Sequence, residues 1–289
     1  MLRRHALSIL LGTIGDLNAR TFGSLDSILD PAHGAALLLN VASRKILATN
    51  SSVTIGGALY PPGSTLKPFV LAVLLKHGRL RADSSWACPR HLTVGNRQFD
   101  CVHPPLVTPM RIDTALAYSC NGFVAHAAEQ FRPNELSTEL LALGLGSRTG
   151  LVGEAETSGR IEPSDTFDAI RLQALGEASI RITPVELALA YRQLALTVRL
   201  PEMQPILAGL EGAVDFGTAQ QARLPGTTVA GKTGSTRSSA GDSIAWFAGF
   251  MPSRAPEVVV TVMLSGHSGG SDAAPIAAQI LDAHRKGRL

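Results

Sequence analysis

The stretch that decides the fold is YPPGSTLK, residues 60–67. Its Pro-Pro-Gly turn leads into residues 64–77, an apolar segment that predicts a buried helix with Ser64 at the N-terminus. Ser64 and Lys67 are three residues apart, so a helix presents both on one face. A serine hydroxyl becomes nucleophilic when a neighbouring group takes its proton. Burial lowers the pKa of a lysine, so that a buried lysine can be neutral and can accept this proton. The pair predicts covalent catalysis; a capping serine beside an unrelated lysine is the alternative.

A second polar segment, Ser119-Cys120-Asn121, interrupts an apolar helical pattern over residues 112–131. The Ser119 hydroxyl can relay protons between Lys67 and a leaving amine. The Asn121 amide can hold Lys67 and donate to a substrate amide. Taken alone, the tripeptide is better explained as a helix kink or cap.

The third motif, Lys232-Thr233-Gly234-Ser235, follows a strand-like run. Lys232 supplies positive charge for a substrate carboxylate, which the two hydroxyls can also hydrogen-bond. Gly234 removes a side chain that would block close approach, and an edge strand here can pair with an extended peptide. The main-chain N–H groups of Ser64 and Ser235 are the candidate oxyanion hole. The alternative is a strand-to-turn transition with a solvated lysine.

Strand-like segments lie at both ends of the chain, and helical patterns fill its middle. This order predicts an α+β fold: an antiparallel sheet of about five strands flanked by N- and C-terminal helices, with an inserted, mostly helical subdomain. We expect a single domain over residues 1–289, with a sheet subdomain at 1–60 plus 225–289 and a helical subdomain at 61–224. The predicted strands are residues 34–41, 45–48, 227–232, 244–250 and 258–264. The predicted helices are residues 64–77, 112–131, 135–143, 184–196 and 273–284, with Thr183 as the N-cap of the fourth.

The composition excludes several classes of protein. The chain has 289 residues, of which 45% are hydrophobic and 17% charged, as is typical of a globular protein and not of a disordered one. The net charge of +3 comes from scattered residues without a basic run, so we expect no nucleic-acid partner. Lysine occurs only five times, which makes a lysine within a motif more informative. We expect no cofactor and no metal.

Three cysteines are too few for a disulfide scaffold. Cys88 and Cys101 flank a segment with turn residues, so a disulfide worth ~3 kcal/mol is the first interpretation in an oxidising compartment. A zinc site of Cys88, His91, Cys101 and His103 ranks second, because this spacing fits no common zinc motif. Two free buried thiols are the remaining alternative. Cys120 should point away from the cleft and serve packing only.

The three motifs together, in this order, resemble those of the transpeptidase domain of penicillin-binding proteins, within the superfamily that includes the serine β-lactamases. This chain has Ser119-Cys120-Asn121 where the family often has Ser-Asp-Asn. The resemblance extends from about residue 34 to residue 281. The matching segments are PGSTLKP (62–68), ALAYSCN (115–121), GEASI (176–180), GTA (217–219), GKTG (231–234) and AWFAGF (245–250).

The resemblance implies a D,D-transpeptidase or carboxypeptidase that acts on peptidoglycan stem peptides through a Ser64 acyl-enzyme and is inhibited by β-lactams. One alternative is a β-lactamase-type hydrolase, but the chain has no Glu-x-x-Leu-Asn segment, and Glu154 is the nearest acidic candidate for a deacylating base. Another is a non-enzymatic β-lactam sensor or wall-complex subunit. The intact motifs, Lys67 included, disfavour the second alternative.

The resemblance also implies a location outside the cytoplasmic membrane, in the periplasm or cell envelope. Residues 1–5 are basic and residues 6–15 moderately apolar, which predicts either a weak signal sequence or an amphipathic first helix. Wall-synthesis members of the family usually carry an N-terminal non-catalytic domain and a membrane anchor, and we see no room here for the former. We therefore expect a bare catalytic domain, a truncated start, or localisation by a membrane or wall-synthesis protein partner.

Overall fold

The structure, a computed structural model, describes residues 22–105, 109–177, 179–238 and 240–289. The predicted signal sequence or first helix lies outside these residues. Among them, the strands are β1 (Gly23–Ser24), β2 (Gly34–Asn40), β3 (Ile46–Thr49), β4 (Ser85–Trp86), β5 (Thr93–Val94), β6 (Arg97–Gln98), β7 (Met110–Arg111), β8 (Arg160–Ile161), β9 (Ile180–Arg181), β10 (Ala230–Arg237), β11 (Ser243–Met251) and β12 (Val258–Ser265). The helices are α1 (Ser52–Gly57), α2 (Lys67–Lys76), α3 (Ile112–Ala117), α4 (Asn121–Ala128), α5 (Glu135–Ala142), α6 (Phe167–Ala174), α7 (Pro184–Thr197), α8 (Gln204–Asp215) and α9 (Ala274–Arg285).

The main sheet has six strands in the order β1-β3-β2-β12-β11-β10. All neighbours are antiparallel except the short β1, which runs parallel to β3. The predicted α+β class is thus confirmed, with one strand more than expected. Within the described residues, no helix is both long and apolar enough to cross a bilayer.

The sheet is buried on both faces, which is why its strands are apolar without alternation. Along β2, Leu37 and Leu39 face the core formed with the helices of the middle of the chain. The alternate residue Leu38 faces a second core with Ile280 and Leu281 of α9. Helices therefore cover both faces, and β10 forms one edge of the main sheet, with β1 at the other.

The helical pattern over residues 112–131 is interrupted at Ser119-Cys120-Asn121, as the sequence indicated. It forms two helices, α3 and α4, and the chain breaks at Ser119, whose φ of +56° no right-handed α-helical residue can adopt. Cys120 then caps α4, its sulfur accepting a hydrogen bond from the Phe123 N–H at 3.3 Å. Because of this break, the second polar motif lies at a tight corner between two helices instead of within one helix.

The turn that carries Ser64 is held by main-chain hydrogen bonds from two distant elements. The indole Nε1 of Trp246, on β11, donates to the carbonyl of Pro61 at 3.1 Å. The hydroxyl of Tyr191, on α7, donates to the carbonyl of Thr65 at 2.9 Å. Both aromatic residues are completely buried, so the position of the turn is fixed by the core.

A glycine contact holds the same turn from the other side. The Gly63 N–H donates to the Gly176 carbonyl at 2.9 Å, and both residues have positive φ. A Cβ on Gly176 would stand 2.0 Å from the Gly63 carbonyl oxygen. Only glycine satisfies both demands, a left-handed backbone and contact with another main chain. This explains why a GEAS segment accompanies the serine motif.

Substitution of Gly176 by alanine should therefore destabilise the fold more than the same change at Gly78. Gly78 also has positive φ, but its Cβ would meet no atom within 4 Å, so it controls for backbone strain alone. We expect Gly78→Ala to cost ~1–2 kcal/mol and Gly176→Ala a further ~1–3 kcal/mol from overpacking. The free energy of unfolding from urea titrations measures both. Equal losses would contradict a close-packed turn.

Candidate active site

The predicted site residues converge on one cleft between β10, α2 and the corner before α4. The lysines of the first and third motifs, Lys67 and Lys232, are completely buried beside it. The cleft is lined by Ser64, Ser119, Asn121, Thr233 and Ser235, together with Tyr118, Thr218 and Ser268. Tyr118 and Thr218 belong to the family segments ALAYSCN and GTA but had no predicted role, and no sequence signal indicated Ser268.

Lys67 is held by the second motif. Its Nζ donates to the Ser119 carbonyl at 2.8 Å, to the Ser119 hydroxyl at 3.3 Å and to Asn121 Oδ1 at 2.5 Å. Among the described residues, Lys67 Nζ makes no hydrogen bond to the Ser64 hydroxyl, although the predicted base must come within reach of that hydroxyl. Catalytic hydrogen bonds are often long in ligand-free enzymes. In this structure the hydrogen-bond partners of Lys67 are therefore Ser119 and Asn121.

Burial lowers the pKa of Lys67 from 10.5 to about 8, because an ammonium loses its hydration inside the protein. The negative charges available at Cys120, Cys101 and Glu177 oppose this shift. With a pKa near 8, roughly a tenth of the amines are neutral at pH 7. Lys67 can therefore accept a proton under physiological conditions.

Lys232 lies in the same buried region, and its Nζ donates to the Thr233 carbonyl at 3.0 Å. Burial, with a smaller contribution from the Lys67 ammonium, lowers the pKa of Lys232 well below its usual value. When both buried amines are charged, they repel each other. Binding of an anion in the cleft is favourable because the anion offsets this repulsion. The site is therefore suited to a ligand with a carboxylate.

A glycine-threonine pair connects the second motif to the third. The Thr218 N–H donates to the Ala117 carbonyl at 3.0 Å, and the Thr233 hydroxyl donates to the Thr218 hydroxyl at 2.8 Å. A Cβ on Gly217 would stand 2.1 Å from the Ala117 carbonyl oxygen. The end of α3, just before Ser119, is thereby fixed to the edge strand.

Strand β10 packs directly on the serine turn. A Cβ on Gly234 would stand 2.9 Å from the Pro62 carbonyl oxygen, so this glycine permits the contact. The Ser235 main-chain nitrogen is 3.6 Å from where a Cβ of Gly63 would be. The main-chain N–H groups of Ser64 and Ser235 thus belong to adjoining segments, as an oxyanion hole requires.

The predicted disulfide is not formed in the structure. All three thiols are free, and Cys88 Sγ is 3.5 Å from Cys101 Sγ, against about 2.05 Å for a disulfide bond. Cys120 does more than pack, because its sulfur lies 3.3 Å from Cys88 and 3.7 Å from Cys101. His91 is exposed and pairs with Asp100 at 3.1 Å, outside this cluster.

The sequence profile of the penicillin-binding protein transpeptidase domain matches residues 34–282. Among curated proteins, a probable peptidoglycan D,D-transpeptidase, PbpC of Pseudomonas aeruginosa, is 26% identical over 300 residues, covering 86% of this chain and 53% of that protein. The chain therefore spans about half the length of this curated relative.

Two solved structures share the fold at low sequence identity. The TP domain of Burkholderia pseudomallei penicillin-binding protein 3, in its apo form, is 20% identical, with 88% of each chain covered and a TM-score of 0.78. PBP2 of Helicobacter pylori, solved in complex with MreC, is 18% identical, with 91% of this chain and 62% of that chain covered and a TM-score of 0.78. Both confirm the architecture predicted from the sequence.

Asn121→Asp should raise the pKa of Lys67 above about 8. The new carboxylate would replace the Asn121 Oδ1 acceptor and stabilise the ammonium, typically by 1–3 pKa units. Titration of ¹³C-labelled lysine Cε signals by NMR measures the shift, and with only five lysines Lys67→Arg identifies the signal. Asn96→Asp, on an exposed turn, controls for net charge. An unchanged Lys67 titration would contradict the contact.

Proposed function

The chain belongs to the penicillin-binding protein transpeptidase family, and from this premise we propose that it is a serine D,D-transpeptidase or carboxypeptidase acting on peptidoglycan stem peptides. One observation carries the proposal: a completely buried lysine with a pKa of about 8 is held by Ser119 and Asn121 in the cleft that Ser64 lines. A lysine so placed supplies the base that a serine nucleophile needs.

In the proposed first half-reaction, Ser64 Oγ attacks the carbonyl of the penultimate D-Ala of a stem peptide. Neutral Lys67 accepts the hydroxyl proton, and the N–H groups of Ser64 and Ser235 stabilise the tetrahedral oxyanion. The bond to the terminal D-Ala then breaks. Its nitrogen takes the proton back from Lys67 through the Ser119 hydroxyl, which lies 3.3 Å from Lys67 Nζ.

In the second half-reaction, an amine of a neighbouring stem, or water, attacks the Ser64 ester. Lys67, neutral again, accepts the proton of the attacking group and returns it to Ser64 Oγ as the ester bond breaks, so that Ser64 leaves as a hydroxyl. An amine acceptor gives transpeptidation, and water gives carboxypeptidation. β-Lactams would acylate Ser64 in the same way and act as inhibitors.

The terminal carboxylate of the stem peptide would lie against the third motif. Lys232 supplies the charge, and the hydroxyls of Thr233 and Ser235 supply hydrogen bonds. The edge position of β10 supports this placement, because the stem peptide can add to the sheet as an extended strand while its carboxylate reaches the buried lysines.

Peptidoglycan lies outside the cytoplasmic membrane, so we place the catalytic domain there. A membrane or wall-synthesis protein partner would localise it; the complex of the Helicobacter pylori relative with MreC supports such an arrangement. We also propose that one domain, residues 1–289, consists of a sheet subdomain, 1–60 with 225–289, and a helical subdomain, 61–224. Strands β1–β3 and β10–β12 sharing one sheet support this division.

The structure offers little support for a hydrolase that uses Glu154 as a deacylating base. Glu154 is exposed on the short 3₁₀ turn Gly153–Ala155 and is absent from the described residues that line the cleft. Without a carboxylate dedicated to deacylation, the acyl-enzyme formed with a β-lactam should be long-lived. Its lifetime distinguishes the proposed function from that of a β-lactamase.

Lys67→Arg should lose acylation by a fluorescent penicillin nearly as fully as Ser64→Ala. Arginine keeps the charge but its guanidinium does not release a proton, so the base is lost, at a cost of ~10²–10⁴ in rate. Gel fluorescence over time measures the label, and Lys45→Arg, at an exposed lysine, is the matched control. Substantial labelling of Lys67→Arg would overturn the mechanism, and loss of label from the wild type within seconds would favour a β-lactamase.

Lys232→Ala should weaken reaction with carboxylate-bearing substrates more than with uncharged esters. A hydrogen-bonded charge pair contributes about 1.5–3 kcal/mol, so kcat/KM should fall ~10–100-fold for a thioester that ends in a carboxylate. The same thioester blocked as its methyl ester should lose much less, which separates charge recognition from general damage. Equal losses on both substrates would show that Lys232 does not bind the carboxylate.

A further inference from the structure

Three cysteines and one histidine meet at the second motif: Cys120 is its central residue, and Cys101 also lines the cleft, but none of the four has a role in the proposed reaction. One ligand atom from each of Cys88, Cys101, His103 and Cys120 lies within 4.8 Å of all the others. We propose that these four residues bind one zinc ion in a closed, structural site that fixes the corner carrying Ser119 and Asn121. The expectation of no metal is thereby revised, with Cys120 in place of His91 in the ligand set considered from the sequence.

The spacing of the sulfur atoms fits a metal better than a disulfide. In a tetrahedral site with Zn–S bonds of about 2.3 Å, two sulfurs stand about 3.8 Å apart. The three Sγ–Sγ distances are 3.3, 3.5 and 3.7 Å. They form a nearly equilateral triangle, whereas a disulfide would bring two sulfurs together and leave the third alone.

The imidazole of His103 supplies the second observation. His103 is only 5% exposed, and its Nε2 has no hydrogen-bond partner among the described residues. Its Nδ1–H donates to the Pro104 carbonyl at 2.8 Å, which leaves the Nε2 lone pair free. A buried nitrogen without a partner is costly, and a carbonyl on the other nitrogen is the usual arrangement for a metal-bound histidine.

Main-chain N–H groups point at all three sulfurs. Such donors favour the thiolate form, which is the form that binds metal. The donors are Arg90 N–H to Cys88 Sγ at 3.4 Å, Gly122 N–H to Cys101 Sγ at 3.4 Å, and Phe123 N–H to Cys120 Sγ at 3.3 Å.

The chemistry of the donor set indicates zinc in a structural role. Binding releases the three thiol protons and gives a site of three thiolates and one neutral imidazole, which fills all four tetrahedral positions. No position remains for water or substrate, so the ion would not take part in catalysis. Soft sulfur ligands also disfavour magnesium and calcium.

The ion would join two segments that are distant in sequence. Residues 88–103 form a loop with a small hairpin, and Cys120 is the N-cap of α4. Asn121, the next residue, accepts from Lys67 through Oδ1 and donates to the Phe99 carbonyl of that loop at 3.0 Å. Fixing the loop to Cys120 would therefore fix the residues that hold Lys67.

The test uses the full chain, purified without chelator and with a non-thiol reductant. Zinc is counted by mass spectrometry of the digested protein, and cobalt(II) is added to the metal-free protein as a spectroscopic probe. The variants are His103→Ala and Cys88→Ser, with His91→Ala as the matched control in the same loop. We expect one zinc per chain, thiolate-to-cobalt charge-transfer bands in the near ultraviolet, and no change in His91→Ala.

Loss of a ligand should weaken zinc binding by more than the ~10–100-fold typical of losing an outer-shell partner. Reversible loss of thermal stability on chelation of the wild type would support the site even where a variant fails to fold. Substoichiometric zinc together with the absence of cobalt bands would overturn the inference, as would an intact mass two hydrogens lighter that shows a disulfide.

Only the effect on acylation rests on the proposed function. We expect chelation to slow penicillin labelling at least tenfold and zinc to restore it. If the protein binds one zinc but is never labelled, the proposed function fails and the metal site remains. If it is labelled normally but binds no metal, the metal site fails and the function remains.

Discussion

The completely buried amine of Lys67 imposes the constraint on which the rest of the site depends. A buried ammonium needs hydrogen-bond acceptors, and those that Lys67 finds are the carbonyl and hydroxyl of Ser119 and the amide oxygen of Asn121. The Ser119 carbonyl can reach it only because Ser119 leaves the helix in a left-handed conformation. Such a residue costs of the order of 1–3 kcal/mol. The break between α3 and α4 is therefore a consequence of burying the base.

The rest of the fold holds this arrangement rigid. The serine turn is fixed through its main chain by Trp246, Tyr191 and Gly176, which belong to three separate parts of the chain. Gly217 and Gly234 let the end of α3 and the edge strand approach main-chain oxygens that any side chain would block. Because the donors and the base are held by the core, they need little rearrangement when a substrate enters, which is the condition for electrostatic catalysis.

The sequence predicted those elements that are marked by a pattern of neighbouring residues, such as an apolar run or a capping residue. The hairpin β2–β3, the strands β11 and β12, and the Thr183 cap of α7 all appear close to where the sequence placed them. Helix α8 was missed because Gly209 and Gly212 lower helix propensity, although both allow close packing against α3. Strand β10 continues to Arg237 through polar residues and a glycine, where no apolar pattern marks a strand. The sequence indicated the interruption at Ser119 but not its left-handed geometry, because the contact with Lys67 joins residues 52 positions apart.

The cysteines also show that contacts between residues distant in sequence cannot be predicted from local patterns. Nothing in the spacing of Cys88, Cys101 and Cys120 indicates that their sulfurs lie within 3.7 Å of one another, because the contact depends on a loop folding back onto the cap of α4. The tripeptide at the corner therefore makes contacts on two sides. Ser119 and Asn121 hold Lys67, and Cys120, between them, faces the other two thiols. Whatever holds the thiols together acts on Lys67 through a single intervening residue, so the geometry of the base is coupled to a loop that contributes no catalytic group.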